Sequence, residues 1–359
     1  MTEQAASPTL DKRKSIILGI VGLAVIVLIF WKVIPQIGSY SEAWNALQGM
    51  GGFAMALVLA TVLTYLGVYG LPFKAATPGL GYWPSQQVNQ AAFAISNGVP
   101  AGGALGLAVQ YGMLSSHGIA PAAATSAITA VGIWSTFVSL GFPILGVAAV
   151  AIAGASGTGN AHLATAVIGL GVLIAAVVIF VLVMRSQSLA ERIGRLGNRL
   201  IAPLSHRVRR LQGVDLIGPI TSFRSSMYDL LKRRWAAITA AQVGVSVAQF
   251  LILYVALRGI EGWDKPGSSI LVVFGAFAIS QLGLMVPITP GGLGTVDAIM
   301  IALLASFGVD SGTATAADLV WRASSYVPQI IIGIIALVSW YRRAGSMLAS
   351  TSAASSARA

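Results

Sequence analysis

The chain is 359 residues long, 56% hydrophobic and only 9% charged, with a formal net charge of +11 and a mean hydropathy of +0.82. A soluble globular domain carries about 25% charged residues, so water is not the main solvent of this chain. The sequence has no cysteine, which excludes disulfides and thiolate metal sites, and three scattered histidines (His117, His162, His206) form no metal-binding pattern.

Residues 1–14 are polar, end in Lys12, Arg13 and Lys14, and read as a cytoplasmic N-terminus. The run 16–34 begins like a signal peptide. Its length, the Trp31 and Lys32 at its far end and the lack of a small-residue cleavage site favour a retained first span. Residues 35–51 hold Glu42 but no Lys or Arg and read as external. A second span, 53–73, returns to Lys74 on the inside. After a loop with Pro78, Gly79, Gly81 and Pro84, residues 88–116 are apolar but interrupted by Asn97, Gly98, Pro100, Gly102 and Gly103. Spans at 125–148 and 163–184 follow. Between them, Gly154–Gly159 looks like a phosphate loop, yet no strand precedes it and no Lys-Ser/Thr follows, so a turn is the reading.

The interval 185–234 is the one substantial region outside the bilayer. It holds eleven of the 22 Lys and Arg, and most of the others flank apolar runs. That is the one-sided charge of cytoplasmic loops. Nucleic-acid binding is not expected, because no aromatic stacking residues interleave with the basic ones. Leu189, Ile193, Leu196 and Leu200 recur at helical spacing with Arg192, Arg195 and Arg199 between them. This is either a basic amphipathic helix on the anionic inner leaflet or a solvated linker helix. A span at 235–257, an external loop with Glu261, Asp264 and Lys265, an apolar segment at 270–306 and a last span at 315–340 complete the core, closed by Arg342 and Arg343. The Ala/Ser-rich tail 346–359 is expected to be disordered.

One sequence occurs twice. FAISNGVPAGGALGLAVQYGMLSSHGI (93–119) returns as FAISQLGLMVPITPGGLGTVDAIMIALLASFGV (277–309). Pro100, Gly102 and Gly118 match Pro290, Gly292 and Gly308 at an offset of 190 residues. Apolar segments broken at corresponding places in two halves point to a transporter substrate site. Counting crossings against the charge bias, the first copy begins and ends inside and the second begins and ends outside. The predicted fold is therefore all-α: a polytopic membrane protein with about six full spans and two re-entrant helical hairpins in inverted-topology repeats. The transmembrane domain runs over about 15–345, with repeat one at about 53–150 and repeat two at about 235–341, and with both termini and the basic loop cytoplasmic in the cell membrane. The plainer alternative is close helix packing, since Gly102 and Gly106 are at GxxxG spacing.

Three ionisable residues lie well inside apolar segments: Asp297, Asp318 and Arg322. Each costs about 2.5–3.5 kcal/mol at a helix centre, which makes such residues functional candidates. Asp318 and Arg322 are spaced i, i+4, close enough to pair on one helix face. Helices expected to begin at Pro100 and Pro290 would present free N–H groups to a lipid phosphate, with Gly102, Gly103, Gly291, Gly292 and Gly294 permitting close approach and Arg322 adding a fixed charge. Asp297 is the expected proton-coupling group.

The residues Pro290–Gly294, Asp297, the FGV of 307–309, the WRASSYVPQIIIG of 321–333 and the segment 223–258 resemble the lysylphosphatidylglycerol synthase transmembrane-region family, whose likeness extends over about 16–343. The region is similar to the N-terminal flippase part of the multiple peptide resistance factor. The resemblance implies an integral membrane protein that moves a lipid or polyprenyl-linked intermediate between leaflets. In the family pattern an acidic residue and an arginine follow the first Pro-Gly break. Leu107 and Gln110 stand at those places here, so the resemblance carries over neither the family's charged lipid nor its site residues in this half. The aminoacylating domain of longer relatives has no counterpart in this sequence.

The leading expectation is a lipid translocase or scramblase acting on membrane lipids, anionic ones above all, downhill or coupled to an ion because no ATPase motif is present. The alternatives are a non-transporting membrane partner that anchors or regulates an envelope-synthesis enzyme and, more weakly, a small-solute permease. No Ser-His-Asp or paired-carboxylate constellation stands out, so neither enzymatic chemistry nor a cofactor is expected.

Overall fold

The computed structural model describes residues 48–98, 102–154, 217–285 and 290–356, with isolated positions between 44 and 195. The expected spans at 16–34 and 163–184, the amphipathic stretch at 189–200, Pro100 and residues 357–359 lie outside the described residues, apart from a few single positions. Regular structure among the described residues is helical.

Helix α1 (Gly52–Val68) and the short α2 (Leu71–Ala76) form one apolar stretch of 25 residues. They are divided at Tyr69–Gly70, with Pro72 in the first turn of α2, where its missing N–H costs nothing. Then come α3 (Tyr82–Gly98), α4 (Gly102–Ser116), α5 (Pro121–Ile152), α6 (Ile217–Glu261), α7 (Ile270–Ser280), α8 (Thr295–Ser306) and α9 (Ser311–Ser356). Among the described residues, four stretches are long and apolar enough to cross a membrane: 52–76, 121–152, 227–261 and 311–342. They contain the spans expected at 53–73, 125–148, 235–257 and 315–340. α9 continues to Ser356 through the Ala/Ser-rich segment, in line with the high helix propensity of alanine. Exposed Leu59 and Leu63 on α1, Leu145 on α5 and Ile331, Ile335 and Val338 on α9 give these helices the apolar outer faces that a hydrocarbon solvent requires.

The sequence repeat is a structural repeat. α3 and α4 pack as a pair, and so do α7 and α8. α4 ends where the Gly118 N–H bonds to Ser115 O (2.9 Å) and the Ile119 N–H to Leu114 O (3.1 Å). α8 ends where the Gly308 N–H bonds to Ala305 O (3.0 Å) and the Val309 N–H to Leu304 O (3.1 Å). All four positions correspond at the offset of 190 residues. Gly118 and Gly308 have φ of 75° and 93°, a left-handed conformation that glycine adopts without steric cost and that stops a helix. The next helices, α5 and α9, start at Pro121 and Ser311, again 190 apart.

Packing crosses between the halves. α3 lies along α9, α7 lies along α5, and α1 lies along α6. Each broken helical pair is thus held by the long helix of the other half. Where α7 meets α5, a Cβ on Gly275 would collide with Val150, so only glycine lets these backbones approach. Phe250, Phe277 and Trp321 stack in series at centroid distances of 5.7 and 6.0 Å in the main core, with the Trp321 indole N–H donating to Gln249 O at 3.1 Å. The turn after α6 is tied by Arg258, which donates to Glu261 (2.8 Å) and to Lys265 O (3.2 Å).

Candidate functional site

The second break is built from glycine. Gly291, Gly292 and Gly294 have φ of 62°, 67° and 87°. Right-handed helix cannot propagate through left-handed residues, so Pro290–Gly292 forms only a 3₁₀ turn and α8 begins at Thr295 rather than at Pro290. Asp297 then folds back on its own helix start: the Gly294 N–H donates to Asp297 Oδ2 at 2.6 Å. A carboxylate at the N-terminal turn satisfies an orphan donor and complements the helix dipole. The end expected to await a phosphate is therefore occupied by the chain's own anion. Thr295 Oγ lies 3.1 Å from both Gly292 O and Gly283 O, tying it to the 3₁₀ turn that follows α7.

Arg322 on α9 completes the cluster. Its Nε donates to Asp297 Oδ1 at 2.6 Å, and its Nη2 lies 2.6 Å from the same oxygen, off the line of a hydrogen bond. Nη1 is 3.4 Å from Gly291 O, an oxygen that also accepts from Tyr326 OH at 3.0 Å. The guanidinium lies 4.6 Å from the Trp321 ring centroid and 5.0 Å from that of Tyr326. The i, i+4 spacing of Asp318 and Arg322 does not yield their pairing. Capping fixes the Asp297 carboxylate beside the guanidinium, which takes it instead. Asp297, Asp318 and Arg322 are all at least 96% buried. Asp318 sits beside both, and its Oδ1 has no hydrogen-bond partner. Two acids thus share one cation, a carboxylate pairing that their separation of 21 residues concealed.

The first copy has a different chemistry. α4 begins at Gly102, where a Cβ would collide with Ile95 O, and Gly106 lies as tightly against Ser96. These two glycines pack α4 onto α3. Gly103 faces open space. The two breaks nevertheless meet: Asn97, in the last turn of α3, lies against Gly291, where a Cβ would stand 2.8 Å from Asn97 Oδ1. A cavity of ≈ 250 Å³ opens at this junction, walled by Tyr69, Asn97, Gln242, Phe277, Arg322 and Tyr326 among others. Beyond Asn97 and Arg322, composition and spacing did not single out its polar wall, because Tyr69, Gln242 and Ser135 come from three separate parts of the chain with no local motif.

A second cavity, of ≈ 280 Å³, shares Tyr69, Ser135, Gln242 and Val245 with the first. It is lined by Leu107, Ile128, Val131 and Gly132. These are the positions 190 residues before Asp297, Asp318, Trp321 and Arg322. The second cavity is the first half's counterpart of the charged cluster, with both acids and the arginine replaced by uncharged residues.

Comparison with known proteins supports a membrane protein. The family model described as lysylphosphatidylglycerol synthase TM region matches residues 19–333. A UPF0104 membrane protein of Methanocaldococcus jannaschii is 27% identical over 129 residues, covering 34% of this chain and 36% of that protein. A UPF0104 membrane protein of Methanothermobacter thermautotrophicus is 29% identical over 117 residues, covering 32% and 33%. The matched segments thus span about a third of the length of these curated relatives.

Proposed function

This chain belongs to the lysylphosphatidylglycerol synthase TM region family, and from that premise we propose that it moves the headgroup of an anionic lipid, a phospholipid or a polyprenyl-linked phosphate, between membrane leaflets. The observation that carries the reading is Arg322, which is paired with the buried Asp297 and lines a cavity where two broken helical pairs meet. An ion pair in that setting is costly, and a fold that needed only packing would be served as well by apolar residues. Arg322 keeps N–H groups beyond those held by Asp297, and Nη1 is held only at 3.4 Å. A lipid phosphate entering the cavity competes with Asp297 for the guanidinium, because arginine matches phosphate and carboxylate geometry alike. Asp318, which has no cation of its own, is then the group suited to carry a coupled proton, in place of Asp297.

In this reading the two helical pairs are re-entrant hairpins from opposite faces, within about six full spans of the cell membrane, with both termini cytoplasmic. The hairpin tips carry backbone that hydrocarbon does not tolerate, and the cavity supplies the polar surroundings it requires. The test is reconstitution of the purified chain into vesicles carrying a fluorescent phosphatidylglycerol, followed by quenching from outside. The expected result is quenching beyond the outer-leaflet half. A plateau at half, equal to that of protein-free vesicles, contradicts translocation and leaves a non-transporting membrane role.

A further inference from the structure

We propose that the second cavity is a specificity pocket for the neutral, hydroxyl-bearing part of the headgroup, so that the ligand of the whole site is the phosphate ester of an uncharged polyol. This rests on the translocase reading for its lipid, and on four observations of the cavity itself. First, no charged side chain lines it. Leu107, Ile128 and Gly132 stand where the other half has two acids and an arginine, so a cationic headgroup finds no counter-ion and a second anion finds no cation. Second, its polar lining is entirely amide and hydroxyl: Tyr69, Asn89, Gln110, Ser135 and Gln242. Such groups both donate and accept, which suits hydroxyls that do the same. Third, hydrogen-bonding capacity is left over. Gln242 Oε1 is buried with no partner, and among the described residues no hydrogen bond of the Gln110 side chain is found. A buried amide oxygen without a partner is costly, and a ligand hydroxyl relieves that cost. Fourth, Tyr69, Ser135, Gln242 and Val245 wall both cavities. A phosphate near Arg322 and a polyol near Gln110 can therefore belong to one headgroup.

The experiment is native mass spectrometry of the intact protein with three lipids of the same acyl chains: phosphatidylglycerol, phosphatidic acid and phosphatidylethanolamine. Soluble glycerol phosphate serves as a competitor. Phosphatidylglycerol is expected to bind about three- to tenfold more tightly than phosphatidic acid, the span of one or two net hydrogen bonds. Gln110→Leu is expected to abolish that preference while leaving phosphatidic acid binding unchanged. Leu107→Asp, which restores an acid to this half, is expected to raise binding of phosphatidylethanolamine. Displacement of phosphatidylglycerol by glycerol phosphate at equal concentration would support the pocket and assign it to a soluble ester. Equal binding of phosphatidylglycerol and phosphatidic acid by the parent, or an equal loss of both in Gln110→Leu, would overturn the pocket while leaving the translocase reading standing. Binding of none of the phosphate esters would overturn both.

Discussion

The two halves of the molecule share a helix-ending turn and the start of the long helix after it, and differ in charge. α4 and α8 end in the same glycine turn with matching hydrogen bonds, and each half contributes a long helix to hold the other's broken pair. Yet one half buries Asp297, Asp318 and Arg322 and the other places Leu107, Ile128 and Gly132 at the corresponding positions. Backbone geometry is thus retained where packing requires it, and chemistry is concentrated in one half. The broken helices behave likewise. In the first copy Gly102 and Gly106 serve close packing of α4 on α3. In the second, Gly291, Gly292 and Gly294 make a left-handed turn that lets Asp297 cap its own helix and reach Arg322.

Arg322→Ala is the most damaging change expected in the charged half. It strands the buried Asp297 carboxylate, and removing one partner of a buried pair costs about 3–5 kcal/mol. The expected outcome in thermal unfolding of the detergent-solubilised protein is a large fall in midpoint. Gly132→Ala, at the matching place, is expected to change it little, since a Cβ there meets nothing within 4 Å. Asp297→Asn follows in size, because it leaves Arg322 without its anion. Asp318→Asn should cost less than either, since Arg322 forms its close ion pair with Asp297 and not with Asp318. Equal effects of Asp297→Asn and Asp318→Asn would mean that the ion pair is not the organising contact.

Gly291→Ala and Gly103→Ala sharpen the contrast between the breaks. Gly291 has a φ of 62° and a Cβ there would run into Tyr326 OH, so a loss of about 1–3 kcal/mol is expected. Gly103 is helical with open space around it, and alanine there is expected to be neutral or to stabilise by about 0.4–1 kcal/mol. The same unfolding measurement checks both, and an equal loss at the two sites would show that the first break is as constrained as the second.

The smallest effect concerns the helix starts after each copy. Asp310 accepts from the Thr313 N–H at 2.9 Å, capping α9, whereas Ala120, before α5, has no side-chain cap. The bonds from the Thr313 N–H and hydroxyl hold the Asp310 carboxyl below its ordinary pKa of 3.8. A carboxyl with a depressed folded-state pKa binds its proton less readily when folded. Its stabilising contribution is therefore complete above 3.8 and is lost as pH falls through the lower folded value. Hydrogen exchange in the first turn of α9 is expected to rise over that acid range, and exchange in the first turn of α5 is not.

Much of this arrangement was legible in the sequence. The four described stretches long and apolar enough to cross a membrane follow from apolar length, and the repeat follows from the 190-residue correspondence of its proline and glycines. The partner of Arg322 did not follow, because i, i+4 spacing is a local rule. The contact that forms joins residues 25 apart through a cap made possible by three left-handed glycines. The start of α8 was misplaced for the same reason: proline favours a first helical position, but the glycines after it leave the right-handed region. The second cavity was hidden because its polar residues come from α1–α2, α3, α4, α5 and α6 and its defining feature is charge missing at repeat-related positions.

Whether Arg322, paired with Asp297, handles the lipid phosphate is decided by Arg322→Lys in the vesicle translocation assay. Lysine keeps the charge opposite Asp297 but loses the planar fork that can serve a carboxylate and a phosphate together. The variant is expected to fold, as its unfolding midpoint would report, and to move phosphatidylglycerol at least tenfold more slowly than the parent, an effect of about 1.4 kcal/mol. A folded Arg322→Lys protein that moves the lipid at the parent rate would contradict that role of Arg322.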